Sequence, residues 1–194
     1  MKNHSYRLHR GFTLVELLIV IAIIMVLASL GFAGVQSAMR KAKTVQSLNI
    51  ATNLNQAIQN YFDEYGSLPM VNATPTPIAT NTGEGVNVLR VLLAQEGTGT
   101  NVLNTKNVRY LEVRNAKARK GGIEYAAGGT QATALFDAWG NPFFIAFDDD
   151  YNDEIQNPNV VMPTDPPIIR GMKAVVYCFG ADGLPRTKDD VRTW

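Results

Sequence analysis

One cysteine and two histidines are all the thiol and imidazole side chains this sequence holds. Cys178 has no second cysteine to pair with, so no intrachain disulfide forms even in an oxidising compartment. His4 and His9 both precede Gly11, and a chain cut behind that glycine contains no imidazole at all. That excludes Ser-His-Asp and Cys-His catalysis and any zinc site that needs histidine. Charge of either sign is also lacking in excess: 18 Lys and Arg stand against 17 Asp and Glu. No basic run is interleaved with aromatics, so nothing marks a nucleic-acid interface. Asp and Glu pairs remain as formal acid–base candidates, but in a domain this rich in them they read as solvated surface, and no enzyme activity is expected.

What is present is concentrated at the start. Residues 1–11, MKNHSYRLHRG, carry Lys2, Arg7 and Arg10 and no acid, the pattern of a short cytoplasmic leader before a membrane segment. From Leu17 to Val35 the chain reads LLIVIAIIMVLASLGFAGV, long enough to cross a bilayer as a helix and longer than a secretory h-region. Arg40, Lys41 and Lys43 beyond it balance the three cations of the leader, so charge alone leaves the orientation open. Glu16 lies at the edge of this apolar stretch, where a carboxylate costs about 2.5–3.5 kcal/mol if central and less near the interface. Such a group asks for a partner.

The run Arg10-Gly11-Phe12-Thr13-Leu14-Val15-Glu16-Leu17-Leu18-Ile19-Val20 resembles the cleavage and methylation motif of type IV prepilins and type II secretion pseudopilins. The resemblance implies that a prepilin peptidase cuts after Gly11, that Phe12 becomes the N-methylated amino terminus, and that Glu16 pairs with the amino terminus of a neighbouring subunit during assembly. The chemistry agrees: an amine and a carboxylate attract far more strongly in a low-dielectric layer than in water, and each alone is penalised there. Gly11 presents no side chain to a protease approaching the backbone.

Beyond Val35 the helical pattern continues. Ala38, Ala42, Val45, Leu48, Ala51, Leu54, Ile58, Tyr61, Phe62 and Tyr65 recur every three or four residues and predict one apolar stripe against a globular core. Gly66 and Pro69 end the helix. Continuous from Phe12 to Tyr65, it would hold about 54 residues and span roughly 80 Å. Gly31 and Gly34 stand where relatives often carry proline, and they weaken the helix without forcing a kink. The expected divisions are a leader at 1–11, a membrane and assembly helix at 12–35, its amphipathic continuation at 36–66, and an α/β domain at 67–194.

Within that domain, 69–85 (PMVNATPTPIATNTGEG) reads as an irregular connection and Val86–Ala94 as a short second helix ended by GTGTN. Residues 110–113 (YLEV), 123–126, 142–147 (PFFIAF) and 174–179 (AVVYCF) read as strands of a small antiparallel sheet. Asp137-Ala138-Trp139-Gly140-Asn141-Pro142-Phe143 is similar to a turn and strand of the major pseudopilins of type II secretion, with Trp139 as a core anchor. Gly180-Ala181-Asp182-Gly183, Lys188-Asp189-Asp190-Val191 and Trp194 resemble the calcium loop of the same subunits. That resemblance implies calcium held by Asp182 and Asp190, with Asp189 as the alternate and backbone carbonyls near Phe179 and Val191 completing the cage. Calcium takes six to eight hard oxygen ligands and needs no histidine. A second acidic run, Asp148 to Glu154, has Asp153 where an EF-hand loop needs glycine, and reads as a hairpin tip instead.

The fold expected is therefore α+β and pilin-like, a long N-terminal membrane-spanning helix packed on a small antiparallel sheet domain. The function implied is that of a pseudopilin: a single-pass subunit of the bacterial inner membrane with its globular domain in the periplasm. It would polymerise with copies of itself and with other pseudopilins into a periplasmic fibre, upon an inner-membrane secretion platform. The alternative is a type IV pilin of a surface filament for adhesion, motility or DNA uptake, although many such pilins close their carboxyl terminus with a disulfide that Cys178 alone does not make. A membrane-tethered enzyme has no assembled site in the sequence.

Overall fold

The computed structural model describes residues 11–70, 77–97 and 101–194, and of residues 30–33 the backbone only. The expected leader before Gly11 lies outside the described residues, as do 71–76 of the irregular connection and 98–100 of the break after the second helix. The chain divides into two compact units, one up to Arg40 and one from Lys41 to Trp194.

The first unit is the opening part of α1, which runs in all from Leu14 to Tyr65. It is long and apolar enough to cross a membrane. Its large side chains are exposed, Leu14 by 81% and Leu27 by 64%. In water such exposure is unfavourable; in hydrocarbon it is what a spanning helix presents. The Ser29 hydroxyl donates back to the Val26 carbonyl at 2.8 Å, which satisfies it without a partner helix. Helix continues through Gly31 and Gly34 without interruption.

In the second unit the rest of α1 forms one wall of the core. Ile50, Ala51, Leu54, Ala57, Ile58 and Tyr61 are buried at helical spacing. The stripe differs from the sequence reading at its start: Ser47 and Ile50 face inward, while Val45 and Leu48 are 65% and 41% exposed. Ser47 is held inside by a hydrogen bond its hydroxyl accepts from the Ala138 amide at 3.0 Å, so a polar residue anchors the face where apolar residues were expected. Gly66 terminates α1 at φ +65°, its amide donating to the Phe62 carbonyl at 2.7 Å.

Next come β1 (Ile78–Ala79) and α2 (Gly83–Leu92), with Val88, Leu89, Val91 and Leu92 of α2 turned into the same core. The expected strand at 110–113 is not one. The amides of Tyr110 and Leu111 both donate to the Leu92 carbonyl, at 2.8 and 3.0 Å, so this segment satisfies the open end of α2 instead of joining a sheet. The strands are β2 (Gly122–Tyr125), β3 (Ala132–Phe136), β4 (Phe144–Phe147), β5 (Glu154–Gln156), β6 (Ile168–Arg170), β7 (Ala174–Cys178) and β8 (Val191–Arg192). They form an antiparallel sheet in the order β1-β4-β7-β8 and two antiparallel pairs, β2 with β3 and β5 with β6.

The unbroken apolar runs of β4 and β7 are explained by burial on both faces. Ile145, Phe147, Ala174, Val176 and Cys178 join the main core with α1 and α2, whereas Ala146 and Val175 point the other way, onto Ile155 and Ile169 of the β5–β6 pair. Trp139 packs against the main core, as an anchor should. The acidic run from Asp148 is not a hairpin tip; it links β4 to β5, which belong to different ladders. A cation is already in place there: Lys173 Nζ donates to Asp148 at 2.9 Å and Asp153 at 2.7 Å. Those two hydrogen bonds, Asp153 first, raise the Lys173 pKa. The outcome is an α+β, pilin-like fold.

Candidate functional site

The first candidate lies in the opening turn of α1. Thr13 caps the helix. Its amide and its hydroxyl both donate to Glu16 Oε2, at 2.9 and 2.7 Å, and the Glu16 amide donates to the Thr13 hydroxyl at 3.3 Å. This is a reciprocal capping box, Thr-x-x-Glu, worth about 0.5–2 kcal/mol to a helix start. The carboxylate that the sequence left without a partner therefore has one inside its own chain. Gly11 and Phe12 precede the helix outside any regular element and are exposed, Phe12 by 80%. The expected scissile bond is accessible, and Glu16 sits one helical turn behind it.

The second candidate is the loop of the β7–β8 hairpin. Tyr177 pairs with Arg192 and Cys178 with Val191, so residues 179–190 leave and return at neighbouring points of the sheet edge. Asp182, Asp189 and Asp190 converge there, each offering a carboxylate oxygen within 4.8 Å of the others. Gly180 makes the approach possible. It adopts φ +67°, and a Cβ on it would stand 2.2 Å from the Asp189 carbonyl oxygen. Asn141, from the turn before β4, donates to the Gly180 carbonyl at 2.7 Å. Asp137 holds that turn, one carboxylate oxygen accepting the amides of Trp139, Gly140 and Asn141 at 2.7–2.8 Å.

Two of the three carboxylates, Asp189 and Asp190, are oriented by donors on their outer sides. Asp189 Oδ2 accepts the amides of Ala181 and Asp182, at 2.6 and 3.1 Å. Asp190 Oδ2 accepts from the Asn159 side chain at 2.8 Å and from the amides of Arg186 and Thr187, at 2.8 and 3.2 Å. Partial burial pushes the Asp189 carboxyl up, but hydrogen bonds from Thr187, Asp182 and Ala181 outweigh it and hold the group below the usual carboxylate range. On the inner side one hydroxyl meets four oxygens. Thr187 Oγ1 lies 2.7 Å from Asp189 Oδ1, 3.0 Å from Asp190 Oδ1, and 3.4 Å from both Asp182 Oδ1 and the Leu184 carbonyl. A hydroxyl carries one proton, so most of these oxygens face it without a hydrogen between them. The donor set is all hard oxygen and suits a divalent cation of the calcium type.

All three acidic residues singled out in the sequence are therefore brought together, and both Asp189 and Asp190 turn an oxygen inward. Phe179 and Val191 stand at the two ends of the loop. Phe179 lays its ring 4.5 Å from that of Phe144, and Val191 is a buried strand residue. The sequence reading missed Thr187, Leu184, Asn141 and Asn159. Thr187 carried a local signal, a hydroxyl residue two positions before Asp189; Asn159 carried none, because it comes from a different loop.

Residues 6–32 match the prokaryotic N-terminal methylation motif. The chain is 33% identical over 103 residues to the fimbrial protein EcpC of Eikenella corrodens, covering 53% of this chain and 65% of that protein. It is 28% identical over 127 residues to the type IV major pilin protein PilE of Neisseria gonorrhoeae, covering 62% and 75%. It is 31% identical over 92 residues to the prepilin peptidase-dependent protein D of Escherichia coli strain K12, covering 45% and 63%. The matched stretch thus spans just under two thirds of the first and third of these relatives. No solved structure matches the chain significantly.

Proposed function

We propose, for a chain that belongs to the type IV prepilin and pseudopilin family, that it is a structural subunit which polymerises through α1 into the periplasmic pseudopilus of a type II protein secretion machine. Prepilin peptidase would release it after Gly11, and α1 would anchor it in the inner membrane until the secretion platform adds it to the fibre. The observation that carries the choice of pseudopilus is the β7–β8 loop. Its ends are held by a short ladder and its middle by three convergent carboxylates, in a domain whose single cysteine is buried and unpaired. We assign this loop to calcium, with Asp182, Asp189 and Asp190 as carboxylate ligands and Leu184 as a carbonyl ligand. The ion would supply the positive charge the inward oxygens lack. A type IV pilin of a surface filament is the second reading, and the names of the similar proteins favour it. Deleting the gene separates the two: loss of exported proteins from the medium supports the pseudopilus, and loss of surface filaments with secretion intact supports the pilus.

The role of Glu16 is tested by comparing two substitutions. Glu16→Gln keeps the shape of the capping box, since glutamine serves at that position, but removes the charge. Glu16→Leu removes both. If Glu16 pairs with the amine of a neighbouring subunit, both variants reach the membrane at normal levels and both fail to form fibres. Fibres of normal yield from Glu16→Gln would mean that only the cap matters.

A further inference from the structure

The strongest unabsorbed feature of the molecule is a buried amide beside the acidic loop. Asn159 is fully buried, yet it belongs to the connection between β5 and β6 and not to the β7–β8 hairpin. Its Nδ2 donates to Asp190 Oδ2 at 2.8 Å. Its Oδ1 is buried and accepts no hydrogen bond. A buried acceptor left unpaired is unfavourable, and structures retain one where something else completes it. From this geometry we infer that Asn159 is a further member of the cation site: it positions Asp190 for the ion and makes the 157–165 segment respond to ion binding. The inference rests on the reading of the loop as a cation site.

The positioning follows from how Asp190 is used. Three N–H groups, from Asn159, Arg186 and Thr187, engage Oδ2, which fixes the carboxylate plane and leaves Oδ1 turned toward Thr187 and the other acids. Two of those donors belong to the loop itself and move with it. Asn159 is the one that comes from outside and holds the carboxylate against the rest of the domain. Its Oδ1, on the same amide, is left without a hydrogen-bond partner.

The coupling follows from what else holds the segment. The Asn159 carbonyl accepts from Arg192 Nη1 at 3.3 Å, and the same nitrogen donates to Asp165 Oδ2 at 2.7 Å. Asp165 Oδ2 in turn accepts the amides of Val161 and Met162, at 2.8 and 3.0 Å, and closes a tight turn. The segment is thus fastened to the carboxyl-terminal strand at two points, Asp190 and Arg192, on either side of Val191. An ion that fixes the Asp190 carboxylate in place holds the first fastening and, through Arg192 on the Asn159 carbonyl, the second.

The test uses the full chain in detergent, with calcium chloride as the probe and a chelator as the reference. In wild type, calcium should slow amide hydrogen exchange at Val161 and Met162 as well as within 179–190, and Asn159→Leu should weaken calcium binding by about tenfold or more. Asn159→Asp adds a carboxylate next to Asp190: its melting temperature should fall in chelator, and calcium should raise it by more than in wild type. A residue that merely supports the fold would lower both values equally. Wild-type protein that binds no calcium at millimolar concentration overturns the cation site and this inference with it. Calcium binding with unchanged exchange at Val161 and Met162 overturns the inference and leaves the cation site standing. The exchange measurement needs no variant, so it decides even if Asn159→Leu fails to fold.

Discussion

Replacing Asp182 by alanine separates a cation site from an acidic turn, because the two readings differ in sign as well as size. An ion bound only to the folded state stabilises it by RT ln(1 + [L]/Kd), about 2.7 kcal/mol at 100 times Kd. In a domain of 150–250 residues each kcal/mol moves the melting temperature by about 2–4 °C, so wild type should gain roughly 5–11 °C between chelator and saturating calcium. Without the ion, Asp182 contributes little. At 4.8 Å in a water-like dielectric each carboxylate pair repels by about 0.9 kcal/mol, so alanine relieves roughly 1.7 kcal/mol across two neighbours. Against this it loses the bond that Asp182 Oδ1 accepts from the Leu184 amide at 2.9 Å, worth about 0.5–1.5 kcal/mol. The two nearly cancel. Asp182→Ala should therefore melt within a few degrees of wild type in chelator and gain nothing from calcium, read by scanning calorimetry or tryptophan fluorescence. Identical melting of wild type in millimolar calcium and in chelator would refute the assignment, and so would a full calcium gain in Asp182→Ala.

Three further outcomes are expected. Intact-mass analysis of the protein purified from its native membrane should show Phe12 first and carrying one methyl group; a retained Met1 or Lys2 in assembled material contradicts cleavage after Gly11. Burial, with the charge of Asp137 second, raises the Cys178 thiol well above its ordinary value, so a thiol reagent at pH 8 should leave it unmodified in the folded protein and label it on unfolding; rapid native labelling would show that β7 opens. Hydrogen bonds from Met162, Arg192 and Val161 hold Asp165 down at about 2, from an ordinary 3.8. Its stabilising effect is present above that ordinary value and is lost as pH falls toward 2. Melting-temperature differences between wild type and Asp165→Asn, measured in chelator, should accordingly be constant from pH 7 to 5 and shrink from pH 4 to 2; a difference that does not change with pH would show that the Arg192 clasp is not formed.

How far the sequence carried varied with how local the cause was. α1 was legible because an unbroken apolar run and a three-to-four residue period are properties of neighbouring residues. Its inner face was misjudged at Val45 and Leu48, because the residue that decides it, Ser47, is held by the amide of Ala138, far along the chain. The strand expected at 110–113 failed for a similar reason: alternating apolar residues were recruited by the carbonyl of Leu92, a tertiary event. β3 went unseen because Ala-Thr-Ala-Leu-Phe has few branched or aromatic residues, and its burial comes from what packs on it. At the loop, Asp182, Asp189 and Asp190 were readable from spacing and resemblance. Asn159 was not, since 31 positions of sequence separate it from Asp190.

The capping box at Thr13 bears on fibre growth. If Glu16 pairs with the amine of a neighbouring subunit as proposed, a carboxylate that already accepts two hydrogen bonds from its own chain would give them up, wholly or in part, to meet it. Growth through Glu16 would then be an exchange of partners, and its driving force would be the difference between an ion pair in hydrocarbon and a cap, not the full strength of the pair. An isolated subunit in the bilayer would keep Glu16 capped by its own Thr13 and have less cause to associate at random. On the proposed role, a reserve of anchored, unassembled chains would thereby be favoured, and elongation would wait for a neighbour whose amine is delivered in register.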